Sequence, residues 1–242
     1  MKNTCDIIYE DEDLVVVNKP PFLLTIPDRF HPEKPNLYHQ LGERFGKIFT
    51  VHRLDRETSG ILVFAKTEAA HRDLSRQFQQ HSVQKIYFAL LEGVMHQDEG
   101  IIDKPLAEHP SEPGKMIVAQ RGKPSVTHYK VMERFKNYTL VEADIKTGRM
   151  HQIRVHFQSL GYPLAIDALY GRKTEFLLSD VKQARYRMGK FQEEERPLMS
   201  RTTLHAGRLT FVHPGNGQTV TFEAELPKDF GAVVKQLQKW GK

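Results

Sequence analysis

Thr58-Ser59-Gly60 running straight into Ile61-Leu62-Val63-Phe64-Ala65 is the feature that most constrains this chain. An unbroken apolar run of strand length behind a turn reads as a strand buried on both faces. Gly60 is free to take backbone shapes closed to other residues, and Thr-Ser-Gly favours a turn. The preceding His52-Arg53-Leu54-Asp55-Arg56-Glu57 is therefore a loop at the mouth of a core strand, with Asp55 between Arg53 and Arg56. Two neighbouring cations favour the ionised carboxylate, which suits a nucleophile or charge stabiliser better than a general acid. The same spacing also fits a solvated surface loop whose Asp–Arg pair does little. Spacing alone leaves both readings open.

Around this stretch the chain divides into short elements. Residues 6–19 read as a hairpin turning at Asp11-Glu12-Asp13 and stopped by Pro20-Pro21. Asn36 is placed to cap a helix carrying Leu37, Leu41 and Phe45. Thr67 is placed to cap a second helix reaching about His81, with Leu74 and Phe78 inward and Arg72 and Arg76 outward on a solvated face. Lys85 to Gly93 is a further strand, in which Tyr87 fits a core position as readily as a functional one. Residues 94–124 read as irregular, broken by glycines and prolines. Residues 127–131 and 138–143 alternate as two half-buried strands, naturally an antiparallel pair. Met150, Ile153, Phe157 and Leu160 form an apolar helical stripe ending at Gly161. Arg154 borders that stripe, so its guanidinium either finds a partner or snorkels to water. Residues 209–213 and 219–222 form a hairpin around Gly215-Asn216-Gly217, and Pro227 opens a last helix ending near Trp240.

Composition excludes several classes. At 242 residues and 28.0 kDa the chain has ample length for a core. A single cysteine, Cys5, rules out an internal disulfide framework and fits a reducing cytoplasm. No apolar run reaches the roughly 20 residues that span a bilayer, and the polar N-terminus does not read as a signal peptide. A net charge of +5 and a pI of about 9.2 are compatible with a polyanionic partner. The twelve histidines show no zinc spacing, since His151 and His156 are five apart, and no Walker or dinucleotide glycine motif occurs. No metal and no cofactor are expected.

His52-Arg53-Leu54-Asp55-x-x-Thr58-Ser59-Gly60 resembles the signature of the RluA family of pseudouridine synthases. The likeness continues through Lys85-Ile86-Tyr87, Lys115-Met116, Gly122-Lys123-Pro124, Gly148-Arg149-Met150-His151-Gln152-Ile153-Arg154-Val155-His156, Asp167-Ala168-Leu169-Tyr170-Gly171 and Leu204-His205-Ala206. Three positions depart from it. Pro21-Phe22 stands where Ala-Gly follows Lys-Pro, Met150 replaces Thr or Ser, and Ile166 replaces a Gly. Residues 172–200 are polar and basic, lie outside the resemblance and read as an insertion.

The resemblance implies one α+β catalytic domain over residues 1–242, a mixed, largely antiparallel sheet flanked by helices with a central RNA-binding cleft. It implies Asp55, Tyr87 and Arg154 as catalytic residues. Asp55 attacks the sugar or takes a proton there, Tyr87 stacks on the target base, and Arg154 orients Asp55. Arg53, His52, Lys85, Arg149 and Lys19 are implied at the substrate, with Arg53 supporting a flipped nucleotide. The reaction breaks the N1–C1′ bond of a uridine, turns the uracil and joins C5 to C1′ without cofactor. The expected partner is ribosomal or transfer RNA, since the first hairpin leaves no room for the family's frequent N-terminal RNA-binding module. The expected state is a cytoplasmic monomer. Two alternatives are a catalytically inactive RNA-binding or ribosome-assembly protein of the same fold, and a uracil-releasing glycosylase.

Overall fold

The computed structural model describes residues 5–188 and 194–242, which divide into two compact units. One comprises Met1–Tyr87 with His205–Glu225, the other Phe88–Leu204 with Leu226–Lys242. In chain order the elements begin with strands β1 (Asp6–Glu10) and β2 (Leu14–Lys19), helix α1 (Leu37–Phe45), and strands β3 (Phe49–Thr50) and β4 (Ser59–Ala65). Helix α2 (Glu68–Gln79) and strand β5 (Gln84–Glu92) follow. Next come β6 (Glu99–Asp103), β7 (Leu106–Glu108), β8 (Met116–Val118), β9 (Val126–Arg134) and β10 (Tyr138–Ile145). The chain closes with α3 (Gln152–Gln158), α4 (Leu178–Lys182), β11 (Leu204–Val212), β12 (Thr219–Glu223) and α5 (Lys228–Trp240).

In the first unit β4 is the central strand, and all seven of its residues are buried. It runs antiparallel to β2, with Val17 opposite Leu62 and Lys19 opposite Gly60. It runs parallel to β11, with His205 opposite Ser59 and Ala206 opposite Gly60. That parallel pair makes an otherwise antiparallel arrangement mixed, as expected. One face of β2 and β4 (Leu14, Val16, Ile61, Val63, Ala65) packs with Ala70 and Leu74 of α2 and with Leu209 and Phe211 of β11. The opposite-facing Val15, Val17, Leu62 and Phe64 are fully buried as well. Both sides of the apolar run thus leave water, each such side chain contributing about 1.5–3 kcal/mol. Asn36 and Thr67 cap α1 and α2 through His39 N–H and Ala70 N–H, as their positions implied.

In the second unit the strand order is β5-β10-β9-β6, with β9 and β10 antiparallel and β7–β8 a separate short hairpin. Helix α5 buries Phe230, Val233, Val234 and Leu237 against Leu90, Tyr138, Leu140 and Phe176. Two expectations need correction here. Residues 94–124 are not irregular, because they hold β6, β7 and β8. Those strands carry little pattern of their own, and β6 exists because β9 offers it an edge, pairing Ile102 with Thr127. The stripe on α3 is in fact a helix buried all round, from Gln152 to Phe157, because its polar residues find hydrogen-bond partners. The polar segment after 172 is anchored: Phe176 exchanges backbone hydrogen bonds with 198–199, and Phe176, Val181 and Met199 join the core. Residues 189–193 of that segment lie outside the described residues.

Candidate active site

The Asp55 loop is held by two fastenings to β11 and beyond, both within the first unit. Gly60 has φ +120°, and a Cβ there would collide with the backbone carbonyl group of Ala206. Only glycine lets β11 approach so closely. Ser59 Oγ donates to His205 Nδ1 at 3.0 Å, and His205 Nε2 donates to the Ala224 carbonyl at 3.1 Å. Because a carbonyl only accepts, the second bond fixes the imidazole tautomer that the first requires. The Thr58 hydroxyl is buried without a hydrogen-bond partner.

Two further ties come from the segment after β2. Thr25 Oγ1 donates to the Leu54 carbonyl at 3.0 Å and accepts from Leu54 N–H at 3.2 Å. Lys19 is fully buried, and its ammonium donates to the carbonyls of Pro20 (3.0 Å), Leu23 (2.9 Å) and Arg56 (3.1 Å). The Arg56 carbonyl also accepts from Phe22 N–H at 2.8 Å. Lys19, implied at the substrate, therefore lies inside the protein and pins the Asp55 loop. Charged donors of this kind are worth about 1.5–3 kcal/mol each before desolvation is counted.

His52 is likewise a strut. Its Nε2 accepts from Val63 N–H at 3.1 Å, and its ring stacks on Phe78 at 4.5 Å between centroids. Burial, and then the charge of Lys85, push its pKa down to about 3, so the ring is neutral. Lys85 is buried too, donating to the Val83 carbonyl at 3.0 Å with its ammonium 5.8 Å from the centre of the Phe78 ring. His52 and Lys85 thus share one aromatic neighbour beneath the loop.

What reaches upward is a shorter set. Arg53 and Arg56 are exposed and Asp55 is half-buried. Tyr87 is 8% exposed, and its phenol is pushed well above its usual range, by burial first and by the Asp55 carboxylate second. Asp55 is therefore near enough for its charge to bear on the ring of Tyr87, which stays a neutral phenol. A neutral aromatic face beside a carboxylate can stack on a base while the carboxylate meets its sugar.

The second unit carries Arg149 and Arg154. Arg149 Nε donates to the Pro124 carbonyl at 3.2 Å. Arg154, 6% exposed, forms a two-armed ion pair with Asp167: Nε to Oδ2 and Nη2 to Oδ1, each 2.7 Å. Oδ1 also accepts from Leu169 N–H (2.9 Å) and Tyr170 N–H (3.1 Å), and the Tyr170 ring lies 4.9 Å from the guanidinium carbon. The Asp167-Ala168-Leu169-Tyr170-Gly171 stretch, legible as a motif but without a task, is the holder of Arg154. Gln152 is a second hub: its carboxamide bonds Thr147, the Arg149 amide, the Val126 carbonyl and Thr127. Among the described residues no group of three His, Cys, Asp or Glu could hold a metal, and no helix is long and apolar enough to cross a membrane.

Comparisons with known proteins point to one family. The family described as RNA pseudouridylate synthase matches residues 13–159, more than half of the chain. "Ribosomal large subunit pseudouridine synthase D" of Nitrosomonas europaea is 37% identical over 237 residues, covering 96% of this chain and 65% of that protein. "Uncharacterized RNA pseudouridine synthase YlyB" of Bacillus subtilis is 38% identical over 250 residues, covering 98% and 74%. The chain thus spans a little under two thirds of the first relative and about three quarters of the second. Among solved structures, "Human RNA Pseudouridylate Synthase Domain Containing 1" aligns with a TM-score of 0.69 at 28% identity, covering 93% of this chain and 84% of that one. The chain belongs to the RNA pseudouridylate synthase family, in agreement with its resemblance to the RluA members.

Proposed function

We propose that this protein isomerises specific uridines of RNA to pseudouridine, with Asp55 as the reacting carboxylate, Tyr87 against the base and Arg53 supporting the flipped nucleotide. The observation that carries the reading is a buried, neutral Tyr87 within electrostatic reach of Asp55, on a loop held by Lys19, Thr25 and Gly60. A uracil stacked in folded RNA is out of reach, so the nucleotide must leave the stack at a cost of a few kcal/mol. Once it is out, the N1–C1′ bond breaks, the base turns, and C5 bonds to C1′. C5 loses its proton and N1 regains one, so atoms balance without oxidant or cofactor. Asp55 serves either by attacking the sugar or by taking a proton there.

Arg154 keeps the role the resemblance implies, orienting this carboxylate; what supports it is its place in the Arg-x-His-Gln-Ile-Arg motif. Arg149 retains a substrate role through the same motif. For Lys19 and Lys85 their burial, and for His52 its bond to Val63 N–H and its stacking on Phe78, favour support of the loop over direct RNA contact. Large-subunit ribosomal RNA is the substrate we favour, because the Nitrosomonas relative carries that name. The deciding experiment maps pseudouridine in total RNA from cells with and without the gene. Loss of a site in large-subunit RNA supports the proposal. A lost site confined to transfer RNA redirects the substrate, and an unchanged map with an intact transcript contradicts the activity.

A further inference from the structure

Phe22 occupies a backbone conformation that side chains avoid. Its φ is +66°, in the left-handed region where a Cβ crowds the carbonyl that follows. The conformation is imposed from both sides: Phe22 N–H donates to the Arg56 carbonyl at 2.8 Å. Lys19 grips that same carbonyl together with those of Pro20 and Leu23, which flank Phe22. A bulky residue held against its preference is normally compensated by packing. Here the ring is 43% exposed instead, with the Arg56 guanidinium carbon 5.9 Å from its centre. The chain thus spends backbone strain to present an aromatic face and a cation, one residue from Asp55.

We infer that Phe22 is a stacking platform for an unpaired base flanking the target uridine, with Arg56 meeting the adjoining phosphate. This rests on the proposed RNA activity and makes Phe22 a substrate-binding residue for it. Aromatic faces stack on any base at about 5- to 150-fold in affinity per base, and arginine beside an aromatic ring suits a phosphate next to that base. An RNA contact also accounts for an apolar side chain left in water beside a cation.

The test uses wild type, Phe22→Ala, Phe22→Gly and Phe22→Trp on a labelled RNA of about 20 nucleotides centred on the mapped uridine. Both binding and pseudouridine formation are read. Phe22→Ala and Phe22→Gly both lose the ring, so both should weaken binding and kcat/KM by about 5- to 100-fold. They differ in strain, so Phe22→Gly should melt about 2–4 °C above Phe22→Ala. Phe22→Trp should stay within about threefold of wild type, since it keeps the stacking face. Replacing the flanking nucleotides one at a time by abasic ones should reveal one position at which Phe22→Ala costs nothing more. Wild-type kcat/KM in Phe22→Ala, or a Trp variant as poor as Ala, overturns the platform while leaving the function intact. A wild-type protein that forms no pseudouridine, yet loses affinity on Phe22→Ala, overturns the function and supports the platform.

Discussion

Removing the carboxylate of Asp167 is the sharpest perturbation of the second unit. Arg154 is 6% exposed and Asp167 1%, so Asp167→Ala leaves a guanidinium buried with its two-armed partner gone. Breaking a buried pair from one side costs about 3–5 kcal/mol. The Leu169 and Tyr170 amides lose their acceptor as well, at about 1 kcal/mol each. Relaxation and water entry offset part of this, so about 4–5 kcal/mol is expected, or a melting temperature about 8–20 °C lower. Asp167→Asn keeps an oxygen for the two amides and one arm of Arg154 but sets an NH2 donor against the other arm, so it should fall between wild type and Asp167→Ala. The double variant Arg154→Met/Asp167→Leu removes both charges and should be more stable than Asp167→Ala, because the buried guanidinium that lost its two-armed partner is removed as well. Urea unfolding followed by circular dichroism measures all four proteins. An Asp167→Ala variant within about 1 kcal/mol of wild type, or a double variant no more stable than Asp167→Ala, would refute the view that this motif exists to hold Arg154.

Gly60→Ala should fold poorly or not at all, since both its φ of +120° and the Ala206 carbonyl exclude a Cβ; soluble yield and melting temperature report it. Lys19→Met should cost about 2 kcal/mol and lower kcat more than it raises KM, because it loosens the Asp55 loop without removing an exposed RNA contact; an unchanged kcat would contradict that. The folded state holds His52 at a pKa of about 3 against an ordinary 6.5, so its contribution to stability is complete above pH 6.5 and is lost as pH falls toward 3. His156 is shifted downward too, through burial first, and adds in the same direction. Urea stability should therefore drop between pH 7.5 and 5.5, by no more than about 1.4 kcal/mol per pH unit from His52, and His52→Gln should flatten the slope.

Local signals carried much of the fold. The caps at Asn36 and Thr67, the turn at Gly215-Asn216-Gly217 and the helix after Pro227 are each written within a few residues, and each is found where it reads. The strand at 61–65 declared its burial because no residue in it tolerates water. Strands β6 to β8 were illegible because their pairing is decided by distant neighbours, not by their own alternation. Burial of polar residues was illegible for the same reason. Nothing near Lys19 in sequence tells that the carbonyl of Arg56, thirty-seven positions away, will meet its ammonium. His52 beside Arg53 reads as part of a cationic loop, yet its partner is the amide of Val63 on β4. The Asp167 motif could be seen but not interpreted, since its meaning lies in a residue thirteen positions away on another element. The departure at Phe22 was visible, and only the backbone angle gives it physical content.

The central claim is that the Asp55 carboxylate carries out the isomerisation. The direct measurement compares wild type with Asp55→Asn on unmodified large-subunit ribosomal RNA, reading pseudouridine by mass spectrometry and binding and melting temperature on the same preparations. Asn is nearly isosteric but can neither attack as a carboxylate nor take a proton. The expected result is pseudouridine from wild type without added cofactor, none from Asp55→Asn, and RNA affinity and melting temperature close to wild type in both. Measurable turnover by purified Asp55→Asn, beyond what deamidation back to Asp supplies, would contradict the claim.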